Sequence, residues 1–436
     1  MLFWKVLPSS LLRFVSQSAF MGQILDLLML KKWFAGFDLR EYNPNVQRFY
    51  LFGIPIFSGM ALFMLLYNLY LLRLGYQEDF IGQMIGVFSL ASGVVAIPTG
   101  FLSDRFGRKP FLIGASLCMT VSHLGLCFVT DSTLLLVFSF IGGAGGGFIF
   151  VSFIPFLAEN ASPERRGQAI AIWMAIGVIT RMVVNLVGGA LPDLMSYFIG
   201  VSTDSPEPFQ YALLLGSVGS LISIVPLLGM QSHVPQPKAD SDSDKPPIPY
   251  KNLLIFATTS AFRGLAMGLS FSFFNVFFQE ELHVPTAVIG TVFFVGMVLG
   301  LPLTMSAPGM SRRFGPIMTI VPLRAVGAVA LTLMGLWLDF PIAVALFLIS
   351  TAVESLTSPT EMTFATNSLS RPYWGRMQSL RVTGFQCLSA IGSIWAGFLI
   401  VEHGYWAAFA FAGLARLGSA LVLLIAFGYR RAAQEM

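Results

Sequence analysis

Long apolar runs broken by short polar punctuation fill most of the chain. They lie at about residues 48–73, 80–102, 110–129, 134–157, 167–190, 209–229, 251–279, 286–306, 316–338, 341–365, 375–400 and 405–428. Each matches the roughly 20 apolar residues that carry a helix across a bilayer. Between the sixth and seventh run lies QSHVPQPKADSDSDKPPIPY, in which five of twenty residues are Pro. Bulky apolar residues are almost missing there, so 231–250 reads as a flexible linker. The pattern predicts an all-α membrane protein of twelve transmembrane helices in two six-helix bundles. The segments are an N-terminal stretch (1–47), a first bundle (48–230), the linker (231–250), a second bundle (251–428) and a tail (429–436).

Composition sharpens this. Of 436 residues, 55% are hydrophobic and only 11% charged, against roughly 25% charged in a soluble globular chain. A water-soluble multidomain enzyme is excluded. The three cysteines, Cys118, Cys127 and Cys387, all fall inside apolar stretches, which leaves no disulfide framework or metal cluster.

The placement of charge sets an expected orientation. One set of connections contributes a single basic residue, Arg73, with ten acids: Glu78, Asp79, Asp131, Asp193, Asp204, Glu207, Glu280, Glu281, Asp339 and Glu402. The other face, with both termini and the linker, holds twenty of the 26 basic residues. Cytoplasmic loops carry the excess of Lys and Arg, so both ends are expected in the cytoplasm, the membrane being the plasma (inner) membrane. The first 47 residues include LLRFVSQSAFMGQILDLLMLKKWF, an apolar stretch interrupted by Arg13, Asp26, Lys31 and Lys32. It lacks the continuous core and cleavage site of a signal peptide and reads as an interfacial amphipathic helix.

Residues i and i+208 match at several points. Phe106-Gly107 meets Phe314-Gly315, Arg105 meets Arg313, Ile81-Gly82 meets Ile289-Gly290, and Phe156, Ser162 and Gly167 meet Phe364, Ser370 and Gly375. Asn68 meets Asn275 with a one-residue slip. One offset recurring through loops and helices predicts two bundles on a common plan. Such bundles leave a site between them near the midplane, exposed alternately to each side as they rock.

GFLSDRFGRKP, residues 100–110, resembles the loop motif between helices 2 and 3 of the major facilitator superfamily. Gly100, Leu102, Asp104, Arg105, Gly107, Arg108 and Lys109 stand where that motif has them, and MSRRFGP at 310–316 is a degraded copy without the Asp. AENASPERRGQ at 158–168, with Glu159 and Arg166-Gly167, is similar to the family's helix 4–5 junction. The resemblance runs from about residue 48 to 428. It implies a secondary transporter whose helices 1, 4, 7 and 10 line a central cavity, with Gly100, Asp104, Arg105, Gly107, Arg108, Glu159 and Arg166 as a gating motif. Gly107 suits a tight turn, Asp104 can meet the positive end of a neighbouring helix, and Arg105 and Arg108 can pair with acids such as Glu159. Two departures speak against drug–proton antiport. The helix 4 Arg of those antiporters is replaced by Ser139, and their helix 5 Gly-Pro step falls at Val184-Asn185, with only Gly188-Gly189 kept.

Seven of the 48 charged residues fall within spans: Arg181, Arg263, Arg324, Arg381, Arg416, Glu354 and Glu361. A charge at mid-bilayer costs about 2.5–3.5 kcal/mol on the lenient insertion scale, so these residues are expected at an aqueous cavity. At 1.5 Å per residue, Arg181, Glu354 and Arg263 lie ~21, ~20 and ~18 Å along their helices, whereas Arg381 is only ~9 Å in and can snorkel to the interface. Glu354 and Glu361 share one face of helix 10. The repeat sets Arg181 against Ser389, Arg381 against Trp173, Glu354 against Gly146 and Glu361 against Phe153, so these charges lie outside the shared scaffold. Candidate substrate or coupling residues are therefore Glu354, Arg263, Arg181, Glu361 and Arg381, with Asn68 and Asn275 as cavity or helix–helix hydrogen bonders. Each charge could instead belong to a buried structural ion pair, Arg263 with Glu354 for instance. Arg324 and Arg416 are set aside because helices 9 and 12 are peripheral in the family.

Guanidinium favours carboxylate or phosphate, and burial raises a glutamate toward proton carriage. The expected function is secondary transport of a small organic solute, with a lean to an organic anion and protons as coupling partner. An efflux antiporter for amphiphilic compounds and a non-transporting sensor on the same fold are the alternatives. GGAGGG at 142–147 reads as close helix packing and His123 as a core histidine. Enzymatic activity, cofactors, metal and nucleic-acid partners are not expected, and the chain is read as a monomer.

Overall fold

A computed structural model describes residues 42–162, 165–231, 249–370 and 373–428. The amphipathic segment up to residue 41, most of the linker, Arg371 and the tail from residue 429 lie outside the described residues. The described chain is helical, and twelve helices are long and apolar enough to cross a membrane. They are α1 (Pro44–Arg73), α2 (Glu78–Phe106), α3 (Lys109–Phe128), α4 (Ser132–Asn160), α5 (Arg166–Gly188) and α6 (Glu207–Leu228), then α7 (Tyr250–Glu280), α8 (Thr286–Phe314), α9 (Pro316–Leu336), α10 (Phe340–Asn367), α11 (Trp374–His403) and α12 (Tyr405–Gly428). Large apolar side chains also cover the outside, Phe101, Phe198, Val225 and Met305 among them, as a lipid-facing surface requires. The protein is an integral, multi-pass membrane protein.

The apolar runs locate the spans, but local chemistry sets their ends. Helices α2 and α8 continue past the expected ends at 102 and 306 because charged residues remain helical until Gly107 and Gly315. Both glycines take φ 81°, which only glycine adopts at little cost. A short helix, Leu191–Ile199, follows α5 where a loop was expected.

The repeat extends to details. Glu78–Phe106 and Thr286–Phe314 each have 29 residues, and the starts of α2, α4 and α5 each recur 208 positions later. Asp131 accepts a hydrogen bond from Leu134 N at 2.9 Å and its mate Asp339 one from Ile342 N at 3.2 Å. Both cap a helix start in the usual way. The guanidinium of Arg105 lies 5.5 Å from the Phe106 ring centre, and Arg313 repeats this over Phe314 at 5.2 Å.

The bundles meet toward the acidic face. Along α2 and α11, a Cβ on Gly82 would lie 2.4 Å from Ser393 O, and one on Gly397 2.4 Å from Glu78 O. Along α5 and α8, a Cβ on Gly189 would lie 2.7 Å from Thr286 O, and one on Gly290 2.1 Å from Asn185 O. Only glycine permits such approach. Deeper in, Gln386 Nε2 donates to Ser92 Oγ at 3.1 Å. Toward the basic face, Cβ atoms on Gly100, Gly167, Gly309 and Gly375 would meet nothing within 4 Å. Described α2 and α11 are thus seamed through glycines near the acidic face, while Gly100 and Gly375 near the basic face have open space beside them.

Candidate functional site

Six of the seven charges in spans gather in the second bundle. Glu361 of α10 is wholly buried and binds three guanidiniums. Arg324 Nη2 donates to its Oε2, Arg263 Nη1 lies 3.5 Å from the same oxygen, and Arg381 Nη2 donates to Oε1 at 3.0 Å. Ser260 ties the cluster further, accepting from Arg381 Nε at 3.0 Å. Glu354, two turns earlier on α10, accepts from Arg263 Nη2, which also donates to Ser358 Oγ at 2.9 Å. The Glu354 side chain keeps 34% of its surface exposed, against 0% for Glu361. Arg416 of α12 donates to Ser350 Oγ at 2.8 Å, and Arg324 Nη1 to Ser419 Oγ at 3.1 Å.

The Arg263–Glu354 ion pair, the structural alternative to a coupling role for these two residues, is present, and two expectations are corrected. Arg381 does not snorkel: it is 7% exposed because Glu361 and Ser260 offer it acceptors in the interior. Arg324 is not peripheral. It is 1% exposed and reaches Glu361 because a long side chain bridges adjacent packed helices. The available signal was the repeat, which sets Arg324 against Ser116 and marks its charge as additional to the scaffold. A cavity of about 120 Å³ opens on this cluster, lined by Arg263, Arg324, Glu354 and Arg416 with an apolar wall from Met267, Phe271 and Phe274.

The other candidates lie apart. Arg181 is exposed, donates only to Gly177 O at 3.2 Å, and has no carboxylate partner among the described residues. Asn68 and Asn275 clasp the bundles together. Asn68 Nδ2 donates to Ser272 O at 2.8 Å and to Asn275 Oδ1 at 3.3 Å, while Asn275 Nδ2 donates to Leu65 O at 2.9 Å. A 3₁₀ turn at Phe271–Phe273 interrupts α7 next to the Ser272 carbonyl. The pair makes helix–helix contact and shares no hydrogen bond with the charge cluster among the described residues.

At the basic face, Arg108 carries the loop motif. It is buried and bonds Asp104, Ser103 and, at 3.2 Å, Glu159 of α4. The Asp104 carboxylate serves Arg108, its side chain is 67% exposed, and it meets no other helix end among the described residues. Arg105 also departs from expectation, making no ion pair among the described residues because it lies over Phe106 instead. Arg166 is exposed and likewise unpaired among the described residues. Lys109 donates to Leu228 O at 3.2 Å and Met230 O at 2.7 Å, capping α6 with positive charge at its negative end.

A family model described as Major Facilitator Superfamily matches residues 49–373. The chain belongs to that superfamily. Membership of that superfamily points to a transporter. The arabinose-proton symporter of Bacillus subtilis is 29% identical over 140 residues, covering 32% of this chain and 29% of that protein. The multidrug resistance protein B homolog of Mycobacterium tuberculosis (strain CDC 1551 / Oshkosh) is 34% identical over 114 residues, 26% of this chain and 20% of that one. The match thus spans under a third of either relative's length. Among solved structures, a bacterial homolog to the human lysosomal transporter Spinster, inward-facing and unoccupied, superposes with a TM-score of 0.68. It is 14% identical, with 88% of this chain and 95% of that one covered.

Ser139 is buried and donates to Met84 O at 2.7 Å, so it joins α4 to α2. Gly189 is spent on the close approach to α8.

Proposed function

We propose that this protein transports a small organic anion and couples its movement to protons through Glu354. The supporting observation is the charge balance at the buried cavity. Arg263, Arg324 and Arg416 line it with one carboxylate, Glu354, while the Arg381–Glu361 pair behind adds no net charge. Uncompensated positive charge away from water is costly, and an anionic solute relieves it. Guanidinium is suited to that task because it stays charged and forks onto oxyanions. Family membership leaves the substrate open, since one fold serves many cargoes; the site has to supply the argument.

The two glutamates divide the work. Glu361, enclosed by three arginines, holds their guanidiniums in place. Glu354, partly exposed and bonded by Arg263 alone, is the one a proton can reach. Placing the basic face in the cytoplasm of a plasma (inner) membrane, we read the seam at the acidic face as support for an inward-facing state. Glu354→Gln in proteoliposomes tests the reading. Proton-driven accumulation of anion should be lost while anion binding persists. Unchanged accumulation would remove Glu354 from the mechanism.

A further inference from the structure

We infer that the site selects compact dianions, short dicarboxylates or phosphomonoesters, over monoanions of the same size; this rests on the anion reading above and narrows it. The three arginines and one glutamate that line the cavity leave an excess of two positive charges. Counting the whole cluster, with Arg381 and Glu361 added, gives the same excess. A monoanion therefore leaves one charge uncompensated in a poorly solvated interior, whereas a dianion leaves none.

Hydrogen-bonding capacity points the same way. Arg263 and Arg324 spend their terminal nitrogens on Glu354, Ser358, Glu361 and Ser419. The Nε atoms of both are buried without a partner. Arg416 has Ser350 as its hydrogen-bonded partner and no carboxylate among the described residues. Guanidiniums from three different helices thus border one cavity, in more directions than one carboxylate covers in a single plane. The cavity of about 120 Å³ accommodates a short skeleton, which the wall of Met267, Phe271 and Phe274 can cover.

Matched pairs test this on the purified full-length protein at slightly alkaline pH. Succinate and butyrate share a carbon skeleton and differ by one carboxylate; methyl phosphate and dimethyl phosphate differ by one charge. Binding is read by thermal stabilisation and calorimetry. At least one dianion should bind about tenfold tighter than its monoanionic partner, a difference of about 1.4 kcal/mol, and the preferred pair identifies carboxylate or phosphate chemistry. Arg416→Gln should bring the members of that pair within about twofold, because it removes one excess charge without touching Glu361. Monoanions binding as tightly as dianions to the unaltered protein would overturn the dianion inference and leave the anion reading standing. Binding of neutral or cationic compounds only would overturn both. The comparison on the unaltered protein does not depend on any variant folding.

Discussion

The same place in the two bundles is filled in opposite ways. In the second, Glu361 and Arg381 pair at 3.0 Å. Their mates 208 residues earlier, Phe153 and Trp173, stack with ring centres 6.3 Å apart. Phe49 lies on the same indole at 4.1 Å. Arg324 bonds Ser419, while its mate Ser116 meets Ser223 Oγ at 2.9 Å. The first bundle shows that this architecture packs well with aromatic rings and hydroxyls. Buried ion pairs are no more stabilising than well-packed apolar groups, and breaking one is costly. Charges retained in one bundle alone are thus explained by cargo and coupling better than by folding.

Neutralising Glu361 is the strongest way to break the comparison. Glu361→Gln leaves Arg324 and Arg381 without their carboxylate and should cost about 3–5 kcal/mol, read as a large drop in thermal unfolding temperature in detergent. Phe153→Leu at the mate position should cost only about 1–2 kcal/mol. Equal losses would mean that the two sites are energetically alike. A second contrast lies between the ends of α2. Gly82→Val would push a side chain into Ser393 O and should part the seam. Labelling of a cysteine placed at Ser92 by an impermeant thiol reagent added at the acidic face should rise about tenfold. Gly100→Val, with nothing within 4 Å, should leave that rate unchanged. The smallest effect is expected at Lys109, which caps α6 where its mate in the second bundle is Ile317. Lys109→Ala should cost about 0.3–1 kcal/mol in the same unfolding assay, without altering anion binding.

All twelve spans were legible because lipid demands long apolar runs, and the repeat because its scaffold residues recur. Helix ends were less so: Asp104 and Arg105 look like loop residues until Gly107 is seen to end α2. Glu354, Glu361, Arg263 and Arg381 were found from charge in an apolar setting, and they do converge. Arg324 and Arg416 were discounted on family analogy, which locates a helix but not the reach of its side chains. Arg181 was grouped with them by depth along its helix, a measure blind to which bundle a residue serves. The clasp by Asn68 and Asn275 was half legible: their pairing by sequence was visible, their use of backbone carbonyls from the opposite helix was not.

The glycine seam carries a kinetic implication. Where Gly82, Gly189, Gly290 and Gly397 lie against carbonyl oxygens, the adhesion consists of dispersion and weak Cα–H···O contacts, each worth about 0.5–1 kcal/mol. At those four glycines the surfaces can slide as a bearing does, by many shallow contacts; unlatching of that face falls instead to side-chain bonds such as Tyr405 Oη to Glu78 Oε1 at 2.8 Å and the Asn68–Asn275 clasp.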